Sequence, residues 1–268
     1  TTELKKIAEG REAEIYEWEP GSVLRLFRTA RGAESIEYER AAMEAVRAFV
    51  PLVPAVLGVT EVMGRPGITM ERVDGPDLLS IVAKKPWMVW RAGRIAGEVH
   101  TQLHRVQAPP SIPSLRELGQ RLLPESPLVP PQIAAWALRE LDALPDGDRL
   151  LHGDFHPGNI LMSAHGPVVI DWPGVMRGNP DADLGRSLLL LRLGELPPGS
   201  PLILRLGARV ARSVLRASYV RAYRRTRDVD MDIVLRWEKL RAADRLMDDI
   251  SEERAALLAI IEAAMAAR

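Results

Sequence analysis

Between residues 152 and 172 the chain gathers side chains able to do chemistry: His152-Gly153-Asp154-Phe155-His156-Pro157-Gly158-Asn159, and then Val169-Ile170-Asp171-Trp172. Two carboxylates and one carboxamide in this order match the needs of phosphoryl transfer. Asp154 sits in a tight loop, and phosphoryl transfer needs one carboxylate that orients the attacking hydroxyl and accepts its proton. It also needs a second carboxylate and a neutral oxygen to hold Mg2+ on the nucleotide phosphates, and the stretch offers Asn159 and a further carboxylate, Asp171. Magnesium takes a few protein oxygens and keeps waters, so one Asn and one Asp suffice.

These groups need elements to hold them. Leu150-Leu151, Ile160-Leu161-Met162 and Val168-Val169-Ile170 read as short strands joined by Gly- and Pro-bearing loops, with the polar residues at the strand ends. Upstream, alternation over 12–18 predicts a strand, Pro20-Gly21 a turn, and Val23 to Phe27 a second strand. Ala33 to Phe49 has helical composition and is stopped by Pro51 and Pro54, and two more strands follow near 56–62 and 67–72. After Val73-Asp74-Gly75-Pro76, apolar residues at three- and four-residue spacing predict helices near 77–83, 87–107, 131–143, 183–193, 201–225, 229–247 and 251–267. The expected fold class is therefore α+β. An N-terminal part, 1–72, holds an antiparallel sheet and one helix, and a mostly helical part occupies 73–268.

Composition narrows the partners. Lys+Arg and Asp+Glu both number 36 in 268 residues, which argues against a general nucleic-acid binder. Cysteine is absent, so disulfides and thiolate metal sites are excluded. No apolar run approaches the roughly 18 residues of a membrane helix, and the start TTELKKIAEG lacks a signal-peptide core. A soluble cytoplasmic enzyme, without nucleic-acid or membrane partners, is expected.

The pattern H-G-D-x-H-x-x-N, followed by a strand ending in I-D-W, resembles the aminoglycoside phosphotransferase and choline kinase group, distant relatives of the protein kinases. The resemblance implies a two-lobed protein-kinase-like fold, with nucleotide binding in 1–72 and catalysis and substrate binding in 73–268. It implies Asp154 as catalytic base, His152 as support of the catalytic loop, Asn159 and Asp171 as Mg2+ ligands, and ATP or GTP as phosphate donor. Gly10 and Arg11 fall where relatives place a loop over the phosphates, and Arg25 falls on the strand that carries a phosphate-contacting cation. Glu39 matches the helix glutamate that pairs with this cation, although Glu37 lies close enough to compete. The backbone around Glu71 and Val73 matches the hinge that binds the adenine edge. Asp183, in Asp181-Ala182-Asp183-Leu184, matches a residue that steadies the catalytic loop, or else caps its own helix. Trp237 and Asp244 lie where relatives line the acceptor pocket; core packing is the competing role for Trp237.

Other signals carry less. His100 and His104 share a helical face, but metalloprotease spacing would need Glu where Thr101 stands, and no third ligand is evident. Asp228, Asp230 and Asp232 alternate like a calcium loop but lack its Gly and closing Glu, so helix capping is expected. Arg205, Arg209, Arg212 and Arg216 make a stripe read as a solvated face. Between Asp171 and Asp183 the loop is too short for a protein kinase's activation segment, which favours a small-molecule acceptor. Aminoglycosides, choline-like amines, and sugars or amino-alcohols all stay open as acceptors. A silent nucleotide-binding module is the competing class.

Overall fold

The computed structural model describes residues 4–10, 13–28, 33–50, 52–194 and 201–267. Its strands are β1 (Lys6–Glu9), β2 (Ala13–Glu17), β3 (Ser22–Phe27), β4 (Val56–Val62), β5 (Arg65–Glu71), β6 (Arg149–Leu151), β7 (Ile160–Ser163), β8 (Gly166–Val169) and β9 (Met176–Gly178). Its helices are α1 (Ala33–Arg47), α2 (Leu78–Lys84), α3 (Val89–Leu103), α4 (Leu115–Glu125), α5 (Pro131–Ala143), α6 (Pro180–Leu193), α7 (Leu202–Arg224), α8 (Met231–Arg245) and α9 (Ser251–Ala266). Among the described residues, no helix is long and apolar enough to cross a membrane.

The chain divides into two compact units. The first runs to Asp77 and also takes Asn159–Pro173, a stretch placed with the C-terminal part by the sequence reading; the second holds Leu78–Gly158 and everything from Gly174 on.

In the first unit five antiparallel strands lie in the order β1-β2-β3-β5-β4. Central β3 is buried along its whole length, as its run Val23-Leu24-Arg25-Leu26-Phe27 requires. The turn before it uses Gly21 at φ 78°, a conformation that costs glycine little. Phe27, Ile36 and Ile68 pack together, joining strands to α1. The β7–β8 hairpin is tied to this unit by Val169 N donating to Leu52 O at 2.7 Å and Met162 N to Pro76 O at 2.9 Å. Those bonds explain why residues 159–173 leave the helical unit.

The second unit is built on helix pairs, α3 with α7 and α6 with α8, around a core that includes Trp136, Leu189, Trp237 and Ile261. Short β6 pairs with β9. Three elements were not expected from sequence: β1, β9 and α4. β1 ends just before Gly10, which the resemblance placed in a loop over the phosphates. α4 has a clear signal in hindsight, since Ser114 caps it by accepting from Glu117 N, the start of a capping box. Pro109, Pro110 and Pro113 before it and Pro124 within it obscure that signal.

Candidate active site

In the first unit the charged centre is Arg25. Because β3 is central, its guanidinium is held in a buried place, over the Phe27 ring at 5.3 Å. Its Nη1 donates to Glu39 Oε1, and its Nη2 donates to Asp171 Oδ1 at 2.8 Å. Glu39 is 1 % exposed. Glu37 points elsewhere, bonding Arg40 on the surface.

Asn159 and Asp171 lie at one end of the β7–β8 hairpin, whose register pairs Ile160 with Val169. The Asn159 carbonyl accepts from Ile170 N at 3.0 Å, which fixes the two strand ends together. Asp171 has φ 67°, the left-handed region that a non-glycine residue enters at a cost of about 1–3 kcal/mol. Such a cost is borne where the direction of a side chain matters. Their donor set, a carboxamide oxygen and a partly exposed carboxylate, has the hard-oxygen chemistry that Mg2+ prefers.

Other expected nucleotide contacts sit as follows. Gly10 closes the β1–β2 turn, its N–H donating to Ala13 O at 2.8 Å. Arg11 lies outside the described residues. Glu71 ends β5, and its N–H already donates to Ala55 O at 2.8 Å, so that group is spent within the sheet. Val73 follows two residues later, half-buried.

The second unit holds the loop that bears Asp154. Asp183, on the first turns of α6, accepts His152 N at Oδ2 (2.7 Å) and Gly153 N at Oδ1 (2.9 Å). Gly153 is required here: its φ is 82°, and a Cβ would meet Gly174 O at 2.1 Å. Within the loop, Asp154 N donates to His152 Nδ1 at 3.2 Å and Gly158 N donates to His156 Nδ1 at 3.1 Å. Phe155 is fully buried, stacked on His100 with ring centroids 4.0 Å apart. Asp154 itself stays 32 % exposed.

The helix cap is Asn179, whose side chain accepts from Asp181 N at 2.9 Å. Asp183 is therefore not a cap, and its loop bonds leave the steadying role. Asp183 and Trp237 are both buried, and Trp237 is a core side chain packed against Gly185, so its competing role in the core is the one the structure shows. Asp244 is engaged by Arg241 Nη1 at 2.6 Å. Asp230 caps α8 through Asp232 N, as expected.

Sequence reasoning missed what supports Asp183. His100 Nε2 and His104 Nε2 lie 3.1 and 3.3 Å from its Oδ2. The Tyr219 hydroxyl meets His100 Nδ1, and the Tyr223 hydroxyl meets His104 Nδ1 at 2.5 Å. Asp183 is the third ligand-type group that the His100–His104 pair lacked in sequence, close enough that the three could hold a cation. A complete set of hydrogen bonds accounts for the same geometry: each Nε2–H donates to the carboxylate and each Nδ1 accepts from a tyrosine. Burial, then the neighbouring His104, pushes His100 down to about 3, so it is neutral. Burial pushes the Asp183 carboxyl up, but the two imidazoles outweigh this and hold it well below the carboxylate range. The result is an ionised carboxylate aimed at two loop amides.

Comparison with known proteins bears on the family and the fold. A family model described as phosphotransferase enzyme family matches residues 3–229. A streptomycin 6-kinase of Streptomyces griseus is 32 % identical over 130 residues, which cover 44 % of this chain and 41 % of that kinase. The match thus spans less than half the length of this relative. Among solved structures, an amicoumacin kinase in complex with AMP-PNP and Ca2+ superposes with a TM-score of 0.64 at 15 % identity, covering 97 % of this chain and 86 % of that one. An aminoglycoside-3'-phosphotransferase of type VIII gives 0.62 at 18 % identity, covering 91 % and 90 %. An aminoglycoside phosphotransferase of Streptomyces rimosus, with ADP and streptomycin, gives 0.56 at 17 % identity over 91 % and 92 %. At these identities the likeness is one of fold, and the fold is the kinase-like one expected.

Proposed function

Because the chain belongs to the phosphotransferase enzyme family, we propose that it is a small-molecule kinase. It breaks the bridging P–O bond to the γ-phosphorus of a nucleoside triphosphate and forms a new P–O bond to an acceptor hydroxyl. The phosphoryl group goes to the acceptor, the nucleoside diphosphate leaves, and the hydroxyl proton goes to Asp154. ATP is the preferred donor, in keeping with the AMP-PNP and ADP bound by proteins of the same fold.

One observation carries the reading: Asp183 gathers the His152 and Gly153 amides and so fixes the loop from which Asp154 projects. A carboxylate on a rigid loop loses little freedom when it meets a hydroxyl. Arg25, braced by Glu39, offers a planar guanidinium to phosphate oxygens. Asn159 and Asp171 would hold Mg2+, which when bound neutralises charge on the nucleotide phosphates. Val73 contributes backbone groups to the base edge, Gly10 belongs to the part that faces the phosphates, and His152 supports the loop. The partial likeness to streptomycin 6-kinase puts streptomycin first among acceptors to try.

The test is ADP release with Mg2+, ATP and a panel of aminoglycosides, sugars and amino-alcohols, in wild type and Asp154→Asn. The variant is expected to lose roughly 10²–10⁴-fold in turnover, the scale of general-base removal, and to bind nucleotide as before. Near-normal turnover in Asp154→Asn would remove Asp154 as the base.

A further inference from the structure

Four charged side chains of the second unit, Asp154, Arg186, Asp248 and Arg245, close a square. Arg186 Nη2 lies 2.8 Å from Asp248 Oδ2 and 4.0 Å from Asp154 Oδ1. Arg245 Nη1 lies 3.0 Å from the same Asp248 oxygen and 3.8 Å from the same Asp154 oxygen. Two guanidiniums thus bridge one pair of carboxylate atoms. Oδ1 of Asp154 is buried, whereas the side chain as a whole is one-third exposed, so the exposure belongs to the Oδ2 side. His156 Nε2 faces that side, 3.8 Å from Oδ2.

Both arms of the square are anchored independently of Asp154. Arg186 is buried on α6, three residues after Asp183, so the two share a helix face. A single turn of α6 therefore holds both the loop backbone, through Asp183, and one edge of the Asp154 side chain. Arg245 ends α8 and is clamped by Glu253 of α9 through two bonds of 2.7 and 3.0 Å. Burial, then crowding by Arg241, lowers the pKa of Arg186. A guanidinium kept at that cost needs a reason of position.

Resting on the reading of Asp154 as proton acceptor, we propose that Arg186 and Arg245 are positioning residues that bracket Asp154 Oδ1 and reserve Oδ2 for the acceptor hydroxyl. An aspartate has few rotamers, and a carboxylate turned by one of them presents the wrong oxygen or none. The bracket removes that freedom before an acceptor arrives. It acts on turnover and not on nucleotide affinity, because neither arginine belongs to the unit that carries Arg25, Asn159 and Asp171.

The experiment compares wild type, Arg186→Met, Arg186→Lys and Arg245→Met. Each is examined by crystal structure and by ATP turnover, with streptomycin as probe acceptor and with water alone. In Arg186→Met the Asp154 carboxylate is expected to leave its wild-type rotamer. Turnover should fall by about 10–100-fold, the scale of a misplaced catalytic group, with KM for ATP within twofold. Arg186→Lys, which returns one cation to the square, should come back to within about fivefold of wild type. Should Arg186→Met not fold, Arg245→Met is judged by the same two measures. An unmoved Asp154 rotamer with turnover within twofold in these variants overturns the bracket. Asp154→Asn separates the two claims: if it is inactive beside a fully active Arg186→Met, only the bracket fails; if it is active, the base assignment fails.

Discussion

Glu37 and Glu39 stand two residues apart on α1 and meet opposite environments. Ile36, Met43 and Val46 are buried on the same helix, and their spacing puts position 39 on the packed face and position 37 on the wet one. Glu39→Ala removes one partner of a buried ion pair and leaves Arg25 a cation with only Asp171 beside it. We expect a loss of about 3 kcal/mol, the lower end for such a break because Asp171 remains, read as a shift in urea midpoint, together with a raised KM for ATP. Glu37→Ala, a half-exposed pair with Arg40, should leave the midpoint unchanged. Equal effects from the two variants would sink the assignment. The sequence left this choice open, and the burial of Glu39 against Arg25 decides it. Arg186 and Arg245 were not legible, because an arginine in a helix usually lies in solvent, and only folding brings α6 and the end of α8 to Asp154.

At the scale of elements, the Asp183 network depends on how closely α3 approaches α7. Gly93 and Gly97 together allow it: a Cβ at Gly93 would meet Leu215 O at 2.4 Å, and one at Gly97 would meet Tyr219 O at 2.5 Å and Tyr223 N at 2.9 Å. Two effects oppose one another in Gly97→Ala. Helix propensity favours alanine by about 1 kcal/mol, whereas overpacking costs about 1–3 kcal/mol, and backbone atoms cannot swing aside. Overpacking should win, with a net loss of up to about 2 kcal/mol in chemical denaturation. Gly207, on α7 with nothing near its missing Cβ, gives the control: Gly207→Ala should stabilise by up to about 1 kcal/mol. A stabilised Gly97→Ala would show that the helices are not in close contact there. The existence of both helices was readable from three- and four-residue apolar spacing. Their pairing was not, since His100 and Tyr219 are separated by 119 residues and no local pattern records such a partner. Three-residue β9 escaped for a related reason: it is too short for alternation to register, and it pairs with the distant β6.

For the molecule as a whole, the sequence located the change from strands to helices near residue 72 but not the return of 159–173 to the strand-rich unit. That return depends on non-local bonds such as Val169 N to Leu52 O, which leave no mark on the local pattern. Stability against acid is a whole-chain property that the buried network should dominate. In the unfolded chain His100 takes up its proton near the ordinary value of 6.5, whereas in the folded protein it stays neutral down to about 3. Burial lowers His104 in the same direction. Between these values the unfolded state binds more protons, so stability is full above about pH 6.5 and falls as the pH drops through that window. The slope is up to about 1.4 kcal/mol per pH unit for each such proton. Depressed Asp183 continues the loss below its ordinary 3.8. Burial raises Asp181, which works the other way near that pH but is one group against three. The urea midpoint is therefore expected to fall steadily from pH 6.5 to 5, while the His100 ring resonances show no protonation over that range and those of His104 titrate below the ordinary value. A flat midpoint, or either ring titrating near 6.5, would mean that these imidazoles are not locked neutral between Asp183 and their tyrosines, and that the catalytic loop is held by something else.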